Sequence, residues 1–244
     1  MSKTIILIPS RLSAKRLPGK PLLKINGKSL VYNVYKKALD CKIGKVYVAT
    51  GDKKIFNNIT KSGGNCILTK KQHKSGTDRI YEALQKIKLK GIKYVLNIQG
   101  DEPLVSIKDV IKLNNTVIKN KLKFSTLGCN ISNKKIYSDK NIVKVEVSKK
   151  INNYFEAKSF FRNNKAKKNN KIYHHIGIYQ YNLDTLKKFT YLKQTRNEKK
   201  FKLEQLRALD NKIGINVILA KYAPIGIDTY SDYLKVKKIM ERNN

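Results

Sequence analysis

Short apolar runs alternate with stretches whose apolar residues recur every three to four positions, and this alternation organises the first hundred residues. Thr4 to Ile8 reads as a buried strand, and Ser29 to Leu39 as a helix with Ser29 as N-cap and Leu30, Val31, Val34, Tyr35 and Ala38 on its inner face. Lys45 to Thr50 is the next strand, Lys53 to Ser62 a helix closed by Gly63 and Gly64, and Asn65 to Thr69 a third strand. Thr77 to Lys90 carries Ile80, Leu84 and Ile87 in helical step, and Lys93 to Gln99 is a fourth strand. Strand and helix repeated in this order predict a parallel α/β sheet with crossover helices, where ligands sit at the carboxyl ends of the strands.

Beyond a helix over Ile107 to Lys119 the pattern turns strand-rich, with Phe124 to Asn130, Asn141 to Ser148 and Ile172 to Tyr181 as strands. Adjacent strands after an α/β start predict a mixed, Rossmann-like sheet: one domain over residues 1–244 with an inserted strand-rich part at approximately 124–181. Asp184 to Phe189 and Leu203 to Leu209 are helical, Ile215 to Ala220 is a strand, and Ser231 is expected to cap a last helix ending near Arg242. Asn163 to Lys171 is the one low-complexity stretch and reads as a mobile surface loop. No repeat or long linker divides the chain.

Composition narrows the class. A chain of 244 residues, 41% hydrophobic, can bury a core and is not of disordered composition. The longest wholly apolar runs, such as Ile5 to Pro9, are about five residues against the roughly 20 of a spanning helix, and the start lacks a secretion signal, so a cytoplasmic protein without membrane association is expected. Cys41, Cys66 and Cys129 are odd in number, widely spaced and without His neighbours, which fits buried thiols. The formal charge of +36 would suit a nucleic-acid partner, but only seven of the 53 cations are Arg and the Lys residues are spread over every segment. A solvated Lys-rich surface explains that spread, and it makes the 17 acids informative wherever one stands in an apolar or glycine context.

Two such acids stand out. The fourth strand runs into Gln99-Gly100-Asp101-Glu102-Pro103, where a turn at Gly100 would present Asp101 at the strand tip, and Asp228 follows Gly226 and Ile227. Two converging aspartates suit Mg²⁺, which takes one or two carboxylates and leaves its other positions to phosphate and water. The first strand leads into a loop from Pro9 to Pro21 holding Arg11, Lys15, Arg16 and Lys20, a cationic cradle for a triphosphate that has neither Walker nor dinucleotide glycine spacing. Ser75-Gly76-Thr77-Asp78-Arg79 opens a helix and reads either as a ligand-binding N-terminus or as a capping sequence with Glu82 nearby. Alternation puts His175, Gly177, Tyr179 and Tyr181 on one face of a strand, and Glu204 and Arg207 share one helical face, where a surface ion pair is the plain reading.

Taken in order, the Pro-Ser-Arg to Arg-Leu-Pro-Gly-Lys-Pro loop, Val48-Ala49-Thr50, Ser-Gly-Thr-Asp-Arg, Gln-Gly-Asp-Glu-Pro, His-Ile-Gly-Ile-Tyr-Gln-Tyr, Leu-Glu-Gln-Leu-Arg and Gly-Ile-Asp-Thr resemble the 3-deoxy-manno-octulosonate (Kdo) cytidylyltransferases over nearly the whole chain. The resemblance implies a nucleotide-diphosphosugar transferase fold and a homodimer built on the strand-rich part. It implies transfer of CMP from CTP to the sugar acid for lipopolysaccharide synthesis, with Mg²⁺ on Asp101 and Asp228. Arg11 and Lys20 would meet the CTP phosphates and, with the two aspartates, carry the catalysis. Ser10, Ser75, Gly76, Thr77 and Gln99 would complete the nucleotide site, and Arg16, Arg79, His175, Tyr179, Glu204 and Gln205 would line the sugar pocket.

Two positions depart from that family's pattern. Gly51 stands where Asp or Cys often follows Val-Ala-Thr, and Tyr154-Phe155-Glu156-Ala157 stands where Tyr-Phe-Ser-Arg is common. The second leaves three readings: a peripheral or dimer-surface segment, Arg162 replacing the lost cation, or a pocket for 8-amino-Kdo with Glu156 on the ammonium. A cytidylyltransferase for an N-acylneuraminate-like acid is the close rival, against which the Arg16-Leu17-Pro18-Gly19-Lys20-Pro21 sequence argues. A nucleic-acid-binding protein using the +36 charge is the rival from another class.

Overall fold

The computed structural model describes residues 3–13, 16–131, 133–162 and 171–242, so Ala14, Lys15 and most of the expected Asn-Lys loop lie outside the described residues. The chain gathers into two compact units, Met1–Val110 with Pro224–Asn244, and Ile111–Ala223.

The first unit begins with β1 (Thr4–Ser10), a two-residue hairpin of β2 (Lys24–Ile25) and β3 (Lys28–Ser29), α1 (Leu30–Asp40), β4 (Val46–Thr50), α2 (Lys53–Lys61), β5 (Cys66–Leu68), α3 (Gly76–Lys86) and β6 (Tyr94–Asn97). Its strands run parallel in the order β5-β4-β1-β6. Ile5, Ile6, Leu7 and Ile8 of the inner strand β1 are fully buried, as a strand covered on both faces requires. Ser29 caps α1 by accepting the Tyr32 N–H, and the five residues assigned to the inner face of that helix are all buried. α3 stops at Lys86, short of the expected Lys90, because Ile87 turns to extended backbone.

The division between units falls within α4 (Ile107–Asn120). The second unit then carries β7 (Phe124–Cys129), α5 (Lys134–Ser138), β8 (Lys144–Ile151), β9 (Tyr154–Phe161), β10 (Ile172–Asn182), α6 (Leu183–Tyr191), α7 (Arg196–Phe201), α8 (Leu206–Asp210) and β11 (Asn216–Leu219). The pairings run β10-β7-β11-β9-β8 and return from β8 to β10, with β11 on β7 parallel and the others antiparallel. Each of the five strands therefore has a partner on both sides, which removes the exposed edges that invite aggregation.

The chain ends in α9 (Tyr230–Arg242) in the first unit. Its cap is Thr229, not Ser231: the Asp232 N–H donates to Thr229 Oγ1 at 3.2 Å, while the Thr229 N–H and hydroxyl donate back to Asp232 Oδ2 at 2.9 and 2.8 Å. This reciprocal box satisfies donors that Ser231, already inside the helix, cannot reach.

Candidate active site

A cavity of about 700 Å³ opens in the first unit at the carboxyl ends of β1 and β6. Its walls include Ser10, Arg11, Ser13, Arg16, Leu17 and Lys20 from the basic loop, His73 to Gly76 and Arg79 around the start of α3, and Gln99, Gly100, Asp101 and Asp228. Of the residues expected at the nucleotide, all but Thr77 line it, and Thr77 is buried in the first turn of α3.

Local packing holds the basic loop in place. The Leu12 N–H donates to Asp52 Oδ2 at 2.9 Å, the Gly19 N–H to the Leu12 carbonyl at 3.3 Å, and Leu17 and Leu23 pack against a cluster of Ile25, Leu30, Ile227, Tyr233 and Val236. The same cluster anchors Ile227, whose N–H donates to the Asp101 carbonyl at 3.0 Å. This backbone contact helps bring together Asp101 and Asp228, 127 positions apart in sequence.

Lys20 is the centre of the cluster. Its buried Nζ donates to Asp101 Oδ2 and to the Ile227 carbonyl, both at 2.6 Å, and stands 3.7 Å from Asp228 Oδ1. Arg16 pairs with the other Asp228 oxygen at 2.9 Å. Lys20, expected on the phosphates, thus sits between the two carboxylates, and Arg16, expected at the sugar, is on one of them. Gly100 earns its place by close approach rather than by an unusual turn: a Cβ there would lie 3.0 Å from the Pro9 carbonyl oxygen, and its φ is not in the left-handed region.

Two buried oxygens bear on what the cavity could hold. Ser10 Oγ, on the cavity wall, and Glu102 Oε2 are buried with no hydrogen-bond partner among the described residues. Burial pushes the Glu102 carboxyl up to about 8, the charges of Asp101 and Asp228 add to the rise, and Lys20 opposes it. The charges of Asp101 and Asp228 that raise Glu102 favour a positive charge beyond that of Lys20. Their oxygens are hard donors, so Asp101 and Asp228 fit a Mg²⁺ ion.

At the other wall, Ser75 caps α3 by accepting the Asp78 N–H at 3.1 Å. Arg79 is committed to the preceding loop, donating to Thr69 Oγ1 at 2.7 Å, the Lys70 carbonyl at 3.1 Å and the Lys71 carbonyl at 3.2 Å, and burial lowers its pKa. This clamp draws the loop against the tip of β4 and accounts for Gly51: a Cβ there would lie 2.5 Å from Lys71 Cα and 2.7 Å from the Lys70 carbonyl oxygen. Sequence reasoning missed His73, which lines the cavity and whose Nε2 lies 2.6 Å from Glu82 Oε2. Its position two residues before the Ser75 cap was the available signal.

The remaining expected residues belong to the second unit. His175 is buried on β10, its ring 5.5 Å from that of Tyr179 and its Nε2 3.0 Å from Thr126 Oγ1. A shift in register between Ile176 and Tyr179 interrupts the alternation expected along this strand. Burial, then the charges of His174 and Arg162, hold the His175 pKa down at about 3. Gln205 is buried, and Glu204 Oε1 lies 3.6 Å from Arg207, whose guanidinium is held instead by both oxygens of Glu198 at 2.5 and 2.8 Å. The expected Arg207–Glu204 pair is thus present, but Arg207 is buried and Glu198 makes the closer, two-oxygen contact.

The cytidylyltransferase family profile matches residues 5–215. The chain is 38% identical to the 3-deoxy-manno-octulosonate cytidylyltransferase of Bartonella henselae over 237 residues, covering 97% of this chain and 98% of that one. It is also 38% identical to the enzyme of the same name from Thermodesulfovibrio yellowstonii, again covering 97% and 98% of the two chains. Among solved structures, CMP:2-keto-3-deoxy-manno-octonic acid synthetase in complex with CTP superposes with a TM-score of 0.89 at 33% identity, covering both chains completely.

Proposed function

The chain belongs to the cytidylyltransferase family, and from that membership we propose that it transfers CMP from CTP to the anomeric 2-hydroxyl of Kdo, releasing pyrophosphate. The observation that carries this reading is the cavity at the strand tips, which joins a cationic loop able to hold a triphosphate to two aspartates able to hold its metal. The mixed α/β fold is that of the superposed synthetase with bound CTP.

In this reading the 2-hydroxyl oxygen attacks the α-phosphorus in line, the bond to the bridging oxygen breaks, and pyrophosphate leaves. Such a transfer needs positioning and charge neutralisation more than covalent help. Arg11 takes charge growing on the leaving group, and Ser10 Oγ, without a partner among the described residues, is available to the nucleotide. Asp101 and Asp228 would hold Mg²⁺, which when bound supplies charge neutralisation and a lowered pKa for the attacking hydroxyl. Lys20 keeps the two carboxylates together, and its second donor bond to Ile227 fixes their spacing.

Arg16 and Arg79, which line this cavity, are proposed to meet the sugar. A cytoplasmic enzyme activating sugar for lipopolysaccharide is part of this reading. No described helix is long and apolar enough to cross a membrane. A homodimer assembled through the strand-rich unit is part of the same reading, and a single-chain molar mass by light scattering would remove it. The decisive test is pyrophosphate release from each of the four NTPs against a panel of keto-acid sugars with and without Mg²⁺. Release confined to CTP, Kdo and Mg²⁺ is expected. Turnover of another sugar acid with Kdo inert would overturn the assignment.

A further inference from the structure

We infer that His73, oriented by Glu82, is the residue that reads the 4-amino group of the base and so tells CTP from UTP. The inference rests on the proposed function and deepens it. By the family resemblance Lys20, Asp101 and Asp228 serve the triphosphate and its metal while the segment from Ser75 meets the base, and His73, two residues before that segment, lines the same cavity.

Glu82 settles which nitrogen of the His73 ring faces it with a proton. Its carboxylate accepts from the Lys70 N–H at 3.0 and 3.1 Å, pairs with Lys86 Nζ at 2.7 Å, and meets His73 Nε2 at 2.6 Å. Burial raises its pKa, but the hydrogen bonds from Lys86, Lys70 and His73 outweigh burial and hold it below the usual carboxylate range. An ionised carboxylate can only accept, so the proton at this contact sits on Nε2. In the neutral ring Nδ1 then carries the lone pair, and the partner that fixes one nitrogen decides what the other can do. The side chains of His73 and Glu82 are only 13% and 15% exposed, so water competes poorly for this contact.

Cytosine offers an amino donor at position 4, where uracil offers a carbonyl oxygen. An acceptor nitrogen pairs with the first and repels the second, and a buried polar group left unpaired costs enough to shift selectivity by about 10- to 100-fold.

The test compares kcat/KM for CTP and UTP, with Kdo saturating, in the parent, His73→Ala, His73→Asn and Glu82→Gln. His73→Ala is expected to lower the CTP/UTP ratio about 10- to 100-fold. His73→Asn, whose amide oxygen falls near the place of Nδ1, keeps most of the ratio. In Glu82→Gln the amide can donate to Nε2 and release the proton to Nδ1, so the ratio falls there too. A purely structural role would slow both nucleotides alike, and an unchanged ratio in His73→Ala overturns the inference while leaving the function standing. Failure of the parent to use CTP overturns both. Should His73→Ala not fold, the parent's ¹⁵N imidazole shifts decide: a response at Nδ1 to CTP but not to UTP supports the assignment, and equal responses overturn it.

Discussion

Two clusters of charge, one in each unit, are built in opposite ways. In the second unit two buried cations are closed within the fold: Arg207, 2% exposed, takes both oxygens of Glu198 and stacks 4.9 Å over the Phe189 ring, and fully buried Lys144 donates its ammonium to the carbonyls of Asp139 and Arg162. In the first, Arg16, Lys20, Asp101 and Asp228 come from distant parts of the chain and converge on a cavity, and a carboxyl oxygen of Glu102 has no hydrogen-bond partner among the described residues. A charge closed within the fold supports the fold. A cluster left open at a cavity wall is where a ligand completes the electrostatics.

The sharpest test of that contrast removes one partner from each kind of pair. Arg207→Ala strands Glu198 in the interior and is expected to cost about 3–5 kcal/mol in urea unfolding. A cost below about 1 kcal/mol would break the reading of the second unit as internally balanced. Asp101→Asn is expected to do the reverse, lowering turnover on the order of 10²-fold or more, about 3 kcal/mol of transition-state stabilisation, with little change in the unfolding midpoint. Normal turnover in that variant at limiting Mg²⁺ would remove Asp101 from the metal site.

A third expectation concerns acid. His175 keeps a pKa of about 3 in the fold against 6.5 for a free imidazole, so as pH falls below about 6.5 the unfolded chain takes up a proton that the folded chain refuses. Stability is therefore lost progressively between pH 6.5 and 3, at up to roughly 1.4 kcal/mol per pH unit. The slope of unfolding free energy against pH in this window should fall in His175→Phe. An identical slope in parent and variant would place the acid sensitivity elsewhere.

The strand and helix order of the first unit was legible because fully buried parallel strands and capped amphipathic helices follow simple periods. β9 was not, because Phe155 and Phe160 are an odd number of residues apart yet both buried, and shifts in the β8–β9 register absorb the mismatch. α7 is six residues long, too short for helical periodicity to declare itself. At the site, Asp101 and Asp228 could be read from acids beside glycine in a Lys-rich chain. That Lys20 lies between them, and that the Ile227 backbone ties all three, are facts of tertiary packing with no local signal. His73 was hidden for a related reason, since its orientation depends on Glu82 nine residues on.

The smallest expected effect is at Glu156, and it bears on what the second unit contributes. An acid in place of the Ser-Arg pair common in the family would matter if the segment touched the sugar's carboxylate. Glu156 is exposed on β9 opposite Asn216 of β11, and the Arg162 guanidinium donates to the carbonyls of Asn141 at 2.7 Å and Lys140 at 3.4 Å. Arg162 is thus occupied with the turn before β8, which disfavours its standing in for a lost cation. An exposed strand position whose neighbours are satisfied tolerates exchange, so Glu156→Ser is expected to leave kcat/KM for Kdo within about twofold and the unfolding midpoint unchanged. The comparison is sharpened by assaying the 8-amino analogue of Kdo alongside. Glu156→Ser should leave the ratio of the two sugars as it is in the parent. A tenfold fall in use of the amino sugar alone would put the Glu156 carboxylate against its ammonium, and a charge of the second unit would then be open to ligand after all.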